Sequence, residues 1–262
     1  MRINPKKSLG QNFLKSKNVL DVIIKTSEIK DSDIVLEIGP GKGSLTEKIL
    51  EKAGKVIVVE KDNRLIYFLN EKFKEFVDNK KLEIIEGDIL DFDIDKILKS
   101  KYKIIANIPY YITGQIIKKF LTAKNQPNMM VLMVQKEVAE RIVDKPESLL
   151  SLSIKAYGTP KYIKTVKAKD FSPQPKVDSA ILLIKAINKD FFVENNIKEI
   201  DFFELIKAGF SHKRKMLLGN LKKEWKNNNK NKDLIKVFEK NNISLKIRAE
   251  DLSLDDWLKI LK

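Results

Sequence analysis

Ile34-Val35-Leu36-Glu37-Ile38-Gly39-Pro40-Gly41-Lys42-Gly43 is the stretch that decides the fold. Its first five residues are aliphatic apart from Glu37, the composition of a parallel strand buried on both faces. Three glycines at alternate positions then permit a tight turn and let a ligand approach the backbone closely. A helix is expected from Ser44 to Ala53. The same succession of strand, turn and helix repeats to about Phe120. Apolar runs at residues 56–59, 82–85, 104–106 and 129–134 supply four further parallel strands, and Leu65, Leu69, Phe73 and Phe76 fall at helical spacing between two of them. Right-handed crossovers turn such a series into an open, doubly wound α/β sheet. Residues 162–166 and 180–187 flank a Pro-punctuated loop and are expected to form an antiparallel edge.

Beyond residue 187 the character changes. Residues 202–210, 216–225, 234–238 and 254–261 read as short amphipathic helices with polar linkers, one of them Asn227-Asn228-Asn229. The 262-residue chain is therefore expected to divide into an α/β domain over 1–187 and a small all-helical domain over 188–262. Trp225 and Trp257 are expected in the core of the helical part. The absence of Cys excludes disulfides and thiolate catalysis, and with His212 the only histidine no metal site is expected. The longest strongly apolar run, residues 129–134, is far short of the roughly 20 residues a membrane span needs. No apolar export signal opens the chain, so a cytoplasmic protein with no membrane partner is expected.

A net charge of +15 points to a polyanionic partner. Arg occurs only five times, however, and a chain rich in Lys, Asn and Ile is also what a genome-wide bias would produce. Distribution discriminates better. Residues 207–232 hold nine basic residues against the single acid Glu224, so the excess is concentrated at Lys213, Arg214, Lys215, Lys222, Lys223 and their neighbours.

The carboxylates at strand ends speak to chemistry. Glu60 closes the run at 56–59, where an acid would take both ribose hydroxyls of a nucleoside. Gly87-Asp88 follows the next run, where a carboxylate could reach an adenine amine of a cofactor. With the Gly turn, both lie around the crevice that such a sheet forms at the carboxyl ends of its strands. Either acid alone could be a helix cap; together with the Gly turn they favour a nucleoside pocket. The spacing G-x-G-x-G is not the dinucleotide fingerprint G-x-G-x-x-G, which argues against a nicotinamide oxidoreductase. Asn107-Ile108-Pro109-Tyr110 follows the run at 104–106. The Asn107 oxygen and the backbone carbonyl of Ile108 or Pro109 can accept the two N–H bonds of an exocyclic adenine amine, while Tyr110 stacks on the base.

Over nearly its full length the chain resembles the small-subunit (16S) rRNA adenine N6-dimethyltransferase family. Lys7-Ser8-Leu9-Gly10-Gln11-Asn12-Phe13-Leu14 is similar to its N-terminal cofactor-covering motif, Glu37 to Thr46 (EIGPGKGSLT) to its Gly loop, and Asn107 to Tyr110 to its catalytic tetrapeptide. Gln135-Lys136-Glu137-Val138-Ala139-Glu140-Arg141 and Phe171-Ser172-Pro173-Gln174-Pro175-Lys176-Val177-Asp178-Ser179-Ala180 resemble two further motifs. The resemblance implies a Rossmann-like methyltransferase domain that binds S-adenosyl-L-methionine and a helical rRNA-binding domain. It implies N6,N6-dimethylation of two adjacent adenines in the 3′-terminal hairpin of small-subunit rRNA, within an immature 30S particle, by a protein expected to be a monomer. It assigns cofactor contacts to Asn12, Leu14, Gly39, Gly41, Glu60, Asp88 and Asn107, and the target base to Asn107, Pro109, Tyr110 and Phe171. Three positions depart from the pattern. Ile108 replaces the commoner Leu and is the usual form in related large-subunit enzymes. Lys213 stands where Arg is common and lacks its bidentate fork. Tyr111 stands where Asn is common. Pro40, the motif at Gln135 and the C-terminal pattern disfavour the large-subunit enzymes, the closest rival reading. A binding protein descended from the enzyme would not need the Gly loop and tetrapeptide intact.

Overall fold

The structure is a computed structural model and describes residues 4–6, 9–212, 214–227 and 233–262, with the side chains of 224–227 outside the description. Residues 1–139 and 159–187 form one compact unit, and residues 140–158 and 188–262 form a second.

The strands of the first unit are β1 (Phe13–Leu14), β2 (Ile34–Ile38), β3 (Lys55–Glu60), β4 (Leu82–Glu86), β5 (Lys103–Asn107), β6 (Met129–Gln135), β7 (Thr159–Val166), β8 (Phe171–Ser172) and β9 (Ser179–Lys185). Seven of them make one mixed sheet of order β4-β3-β2-β5-β6-β9-β7, and β1 pairs β8 in a separate two-residue ribbon. The five strands β2 to β6 run parallel, as their uninterrupted apolar runs imply. Successive residues of a strand point to opposite faces, so the near-complete burial along β3, β6 and β9 means that both faces of the sheet centre are covered. The expected antiparallel edge needs one correction. β7 is the edge, but β9 is an interior strand, antiparallel to β6 on one side and β7 on the other. Its sequence Ala180-Ile181-Leu182-Leu183-Ile184 is apolar on both faces and suits that place.

The helices begun in this unit are α1 (Lys17–Ser27), α2 (Ser44–Leu50), α3 (Asn63–Lys72), α4 (Lys74–Asp78), α5 (Ile94–Ile97), α6 (Thr113–Leu121) and α7 (Lys136–Val143), the last running past residue 139. α1 stops at Glu28, whose φ of 45° is left-handed. Lys103 Nζ, at the start of β5, donates to the carbonyls of Ser27 (3.1 Å) and Glu28 (2.7 Å) and pairs with Asp33 at 2.8 Å. A lysine thus satisfies the orphan carbonyls at the helix end and ties it to the amino end of the sheet. α3 starts at Asp62, which accepts the Arg64 N–H as an N-cap.

The second unit holds α8 (Leu149–Lys155), α9 (Asp190–Glu194), α10 (Glu199–Gly209), α11 (Leu217–Asn227), α12 (Leu234–Lys240) and α13 (Leu254–Leu261). Trp257 is buried at its centre with Phe202, Phe238 and Leu221, and Phe210 stacks on Trp257 at 5.9 Å between ring centroids. The Trp225 side chain lies outside the described residues. A single boundary at 187/188 does not describe the division, because residues 140–158 belong to this unit. The reason is aromatic and ionic packing. Tyr157 stacks on Phe203 at 5.8 Å and donates to Glu199 at 2.6 Å, while buried Glu147 accepts from Ser151 and Lys155. Among the described residues no helix is long and apolar enough to cross a membrane.

Candidate active site

The carboxyl ends of β2, β3, β4 and β5 open onto one crevice, lined by the Gly loop, Glu60, Asp88 and Asn107 to Ile112, together with residues 9–14. The Gly loop leaves β2 with Gly39, Gly41 and Gly43 at φ of 63°, 58° and 73°. At two of these positions space as well as torsion demands glycine. A Cβ on Gly41 would stand 2.8 Å from the Phe13 ring, and one on Gly43 would run into Phe73. At Gly39 and Gly87 a Cβ would meet nothing within 4 Å, so there the backbone borders open space. The Gly39 N–H donates to the Val59 carbonyl at 2.9 Å, stapling the loop to β3.

Glu60 is buried at 5% exposure and is held by backbone donors: Gly41 N–H to Oε2 at 3.2 Å and Asp62 N–H to Oε1 at 2.9 Å. Burial pushes its carboxyl above the usual range, and those N–H bonds oppose the shift. Asp88 stands at the end of the neighbouring strand and is the more exposed of the two. Its Oδ2 accepts from Lys61 Nζ at 2.7 Å and its Oδ1 from the Leu90 N–H at 2.9 Å. The Lys61 bond holds it below the usual range, so Asp88 is an ionised acceptor with lone pairs to spare. Beneath the loop Glu37, 1% exposed, accepts from Thr46 Oγ1 at 2.6 Å. Burial, reinforced by the nearby Glu60 charge, pushes it up to about 8, so it is a neutral acid at pH 7.

Asn107 ends β5, and its Nδ2 donates to the Asn12 carbonyl at 3.0 Å. That partner fixes the carboxamide, since a carbonyl can only accept. Asn107 Oδ1 takes no hydrogen bond among the described residues and is not one of the buried unpartnered atoms, so it opens to the crevice. The Pro109 carbonyl is engaged by the Ile112 N–H at 3.3 Å in a short 3-10 turn over Tyr110–Ile112. Of the two backbone carbonyls that the sequence leaves open, that of Ile108 has no partner among the described residues. The Ile108 side chain is 2% exposed and faces the core. Tyr110 lines the crevice with its hydroxyl fixed against Ser179 Oγ at 2.6 Å.

Residues 9–14 lie along the crevice as a strap. At one end Leu14 pairs Phe171 and Phe13 pairs Ser172, and the Lys15 N–H donates to the Asp170 carbonyl at 2.8 Å. At the other end Asp62, its side chain without exposure, accepts from Gln11 Nε2 at 3.0 Å, from Lys6 Nζ at 3.3 Å and from both Arg64 Nε (2.9 Å) and Nη2 (2.6 Å). The Arg64 guanidinium, then Gln11 and Lys6, hold the Asp62 carboxyl far below the usual range. Lys7 and Ser8 of the strap motif lie outside the described residues.

The structure thus gathers Asn12, Leu14, Gly39, Gly41, Glu60, Asp88, Asn107, Pro109 and Tyr110 around one space. Phe171 is the exception. It is 1% exposed within the apolar core, opposite Leu14 across the ribbon, and is not part of the crevice wall. Its side chain packs in the apolar core in this arrangement. Arg214, Lys215, Lys222 and Lys223 are exposed in the second unit, and Lys213 lies outside the described residues. Sequence reasoning missed Gln11, Asp62 and the role of Ser179. Asp62 carried one local signal, an acid directly before a helical run, which is an N-cap pattern.

The family model described as ribosomal RNA adenine dimethylase matches residues 2–262. The ribosomal RNA small subunit methyltransferase A of Dehalococcoides mccartyi (strain CBDB1) is 40% identical over 98% of this chain and 88% of its own length. The protein of the same name from Fusobacterium nucleatum is 38% identical over 100% and 98%. Among solved structures, a dimethyladenosine transferase from Plasmodium falciparum superposes with a TM-score of 0.78 at 32% identity, over 95% of both chains. The 23S rRNA methyltransferase ErmE shares the fold, with a TM-score of 0.75 at 21% identity over 95% of this chain and 98% of its own. The chain belongs to the ribosomal RNA adenine dimethylase family.

Proposed function

We propose that this protein uses S-adenosyl-L-methionine to dimethylate N6 of two adjacent adenines in the 3′-terminal hairpin of small-subunit rRNA. Family membership and the name shared by its relatives support the substrate class. The observation that carries the chemistry is the pair of free acceptors, Asn107 Oδ1 and the Ile108 carbonyl, beside Tyr110 and in the same crevice as Glu60 and Asp88.

The donor, when bound, supplies a methyl group already activated on a sulfonium. The residues present fit its nucleoside. Glu60 closes β3 with its carboxyl group fixed by two backbone N–H groups beside the crevice, where ribose hydroxyls would meet it, Asp88 offers an ionised acceptor to an adenine amine, and Gly39 and Gly87 leave room for both. Adenine N6 is a weak nucleophile because its lone pair is delocalised into the ring. Asn107 Oδ1 and the Ile108 carbonyl would each accept one amine N–H, favouring a tetrahedral nitrogen that regains its lone pair. No strong base is needed, because the amine becomes acidic once alkylated. Tyr110, its hydroxyl pinned by Ser179, offers a fixed ring to the extruded base. A stack of this kind is worth roughly 1–3 kcal/mol, comparable with the few kcal/mol needed to extract a base.

Residues 1–187 would then hold the cofactor and the chemistry, apart from 140–158, and the helical unit would meet rRNA through Arg214, Lys215, Lys222 and Lys223. The particle recognised would be an immature 30S subunit, met in the cytoplasm by a monomer. The departure at Ile108 does not favour a large-subunit target, because that side chain is buried and cannot read a base. The test is methyl transfer from labelled donor to small-subunit particles that lack the modification, with N6-dimethyladenosine mapped in the product. Label at two adjacent adenines of the 3′ hairpin is expected. Label confined to large-subunit rRNA, or none with intact protein, would overturn the reading.

A further inference from the structure

Asp62 is a buried carboxylate that the proposed chemistry does not use, yet it collects four side-chain donors from the strap and from its own helix. Gln11 bridges it to the strap in a way that allows only one amide orientation. Its oxygen needs the Lys6 N–H (2.7 Å) and its nitrogen needs Asp62 Oδ2 (3.0 Å). The next residue, Asn12, presents the carbonyl that takes Asn107 Nδ2. Without that carbonyl the Asn107 carboxamide could turn over about its last torsion, which is broad and two-fold for an amide. It would then present N–H donors to an amine that itself donates. The strap therefore decides which atom of Asn107 faces the crevice.

We infer that Asp62 is a positioning residue for methyl transfer: by latching Gln11 and Lys6 it keeps the Asn12 carbonyl against Asn107 Nδ2 and so aims Asn107 Oδ1 into the crevice. The inference rests on the function proposed above. It adds a coupling between strands, because the Asp62 N–H also holds Glu60 Oε1 at 2.9 Å. The latch and the nucleoside carboxylate share one turn of chain, so what settles Glu60 also settles the strap.

Asp62→Asn tests this with little risk to the fold, because Asn caps a helix as well as Asp does. The new amide keeps one oxygen for the α3 cap and sets a donor where Oδ2 faces Gln11. Gln11 cannot turn to meet it without losing the Lys6 N–H. Gln11→Ala is the second variant, on the strap itself. Two readouts are needed. In the protein without donor or RNA, hydrogen exchange at residues 9–15 is expected to quicken about tenfold in either variant, the loss of roughly one hydrogen bond, with the β2 and β3 amides unchanged. In methyl transfer on small-subunit particles, kcat is expected to fall about tenfold with KM for the particle unchanged, and the double variant to be no worse than the worse single one. Unchanged exchange in both variants, or kcat losses that simply multiply, would overturn the latch. A wild-type protein that transfers no methyl group would instead overturn the proposed function, and the exchange arm would still decide the latch.

Discussion

On the function proposed, the crevice at the ends of β2 to β5 and the exposed basic residues Arg214, Lys215, Lys222 and Lys223 would meet different parts of one substrate, and they are built in opposite ways. In the crevice the polar side chains are held in place by partners within the protein. Gly41 and Asp62 hold Glu60, Asn12 holds Asn107, and Ser179 holds Tyr110. In the basic stretch Arg214, Lys215, Lys222 and Lys223 are exposed. Aimed groups lose their value when one bond is lost, whereas exposed cations act additively and are screened by salt. Single substitutions should therefore cost far more in the first region than in the second.

The largest break is expected at Asn107→Ala. It removes the acceptor for the adenine amine, and kcat should fall about 10²- to 10³-fold, the scale seen when one preorganised polar partner is removed from a reacting centre. Circular dichroism should be unchanged, because the side chain makes one hydrogen bond to the strap and none to the core. Near-normal turnover would mean that the crevice is not organised around this carboxamide. Next comes Tyr110→Ala, which removes the stack and should cost about ten- to a hundredfold in kcat/KM. Tyr110→Phe keeps the ring, loses only the Ser179 bond, and should retain most activity. Equal losses in the two variants would shift the role from the ring to the hydroxyl.

Much of the crevice was legible in the sequence because its residues sit at strand ends, and strand ends are marked by where an apolar run stops. Gly39, Glu60, Asp88 and Asn107 each follow such a run. What sequence could not supply was pairing across distance. Whether β9 lies at the edge or inside the sheet depends on β6 and β7, not on its own composition. The bond between Gln11 and Asp62 joins residues 51 positions apart. The two-residue ribbon that sets Phe171 opposite Leu14, with both in the core, joins segments more than 150 positions apart. Residues 140–158 looked like a continuation of the α/β domain, and contacts such as Tyr157 on Phe203 and on Glu199 assign them to the helices.

The crevice should also answer to pH where the basic stretch answers to salt. Glu37 is raised by burial from an ordinary 4.5 to about 8. Between those values the folded protein holds a proton that the unfolded chain releases, so stability falls as pH rises through that window and levels off above it. Glu37→Gln keeps an oxygen for the Thr46 hydroxyl and removes the titration. Its Tm should decline less than that of the wild type between pH 5 and 9, with some decline remaining because burial raises Glu60 as well. Parallel Tm curves would show that Glu37 is ionised in place.

The smallest effects belong to the lysines. Lys215→Ala, Lys222→Ala or Lys223→Ala should each lower affinity for small-subunit rRNA only a few-fold and alike for RNAs of different sequence, because a phosphate contact carries no base identity. Each lost contact should flatten the dependence of log K on log salt by roughly 0.7–0.9, the share of one neutralised phosphate. At the same time kcat on saturating substrate should hold, since none of these side chains lines the crevice. A lysine whose removal lowered kcat and left the salt slope alone would belong with the aimed groups. The division of labour between the two regions would then have to be redrawn around it.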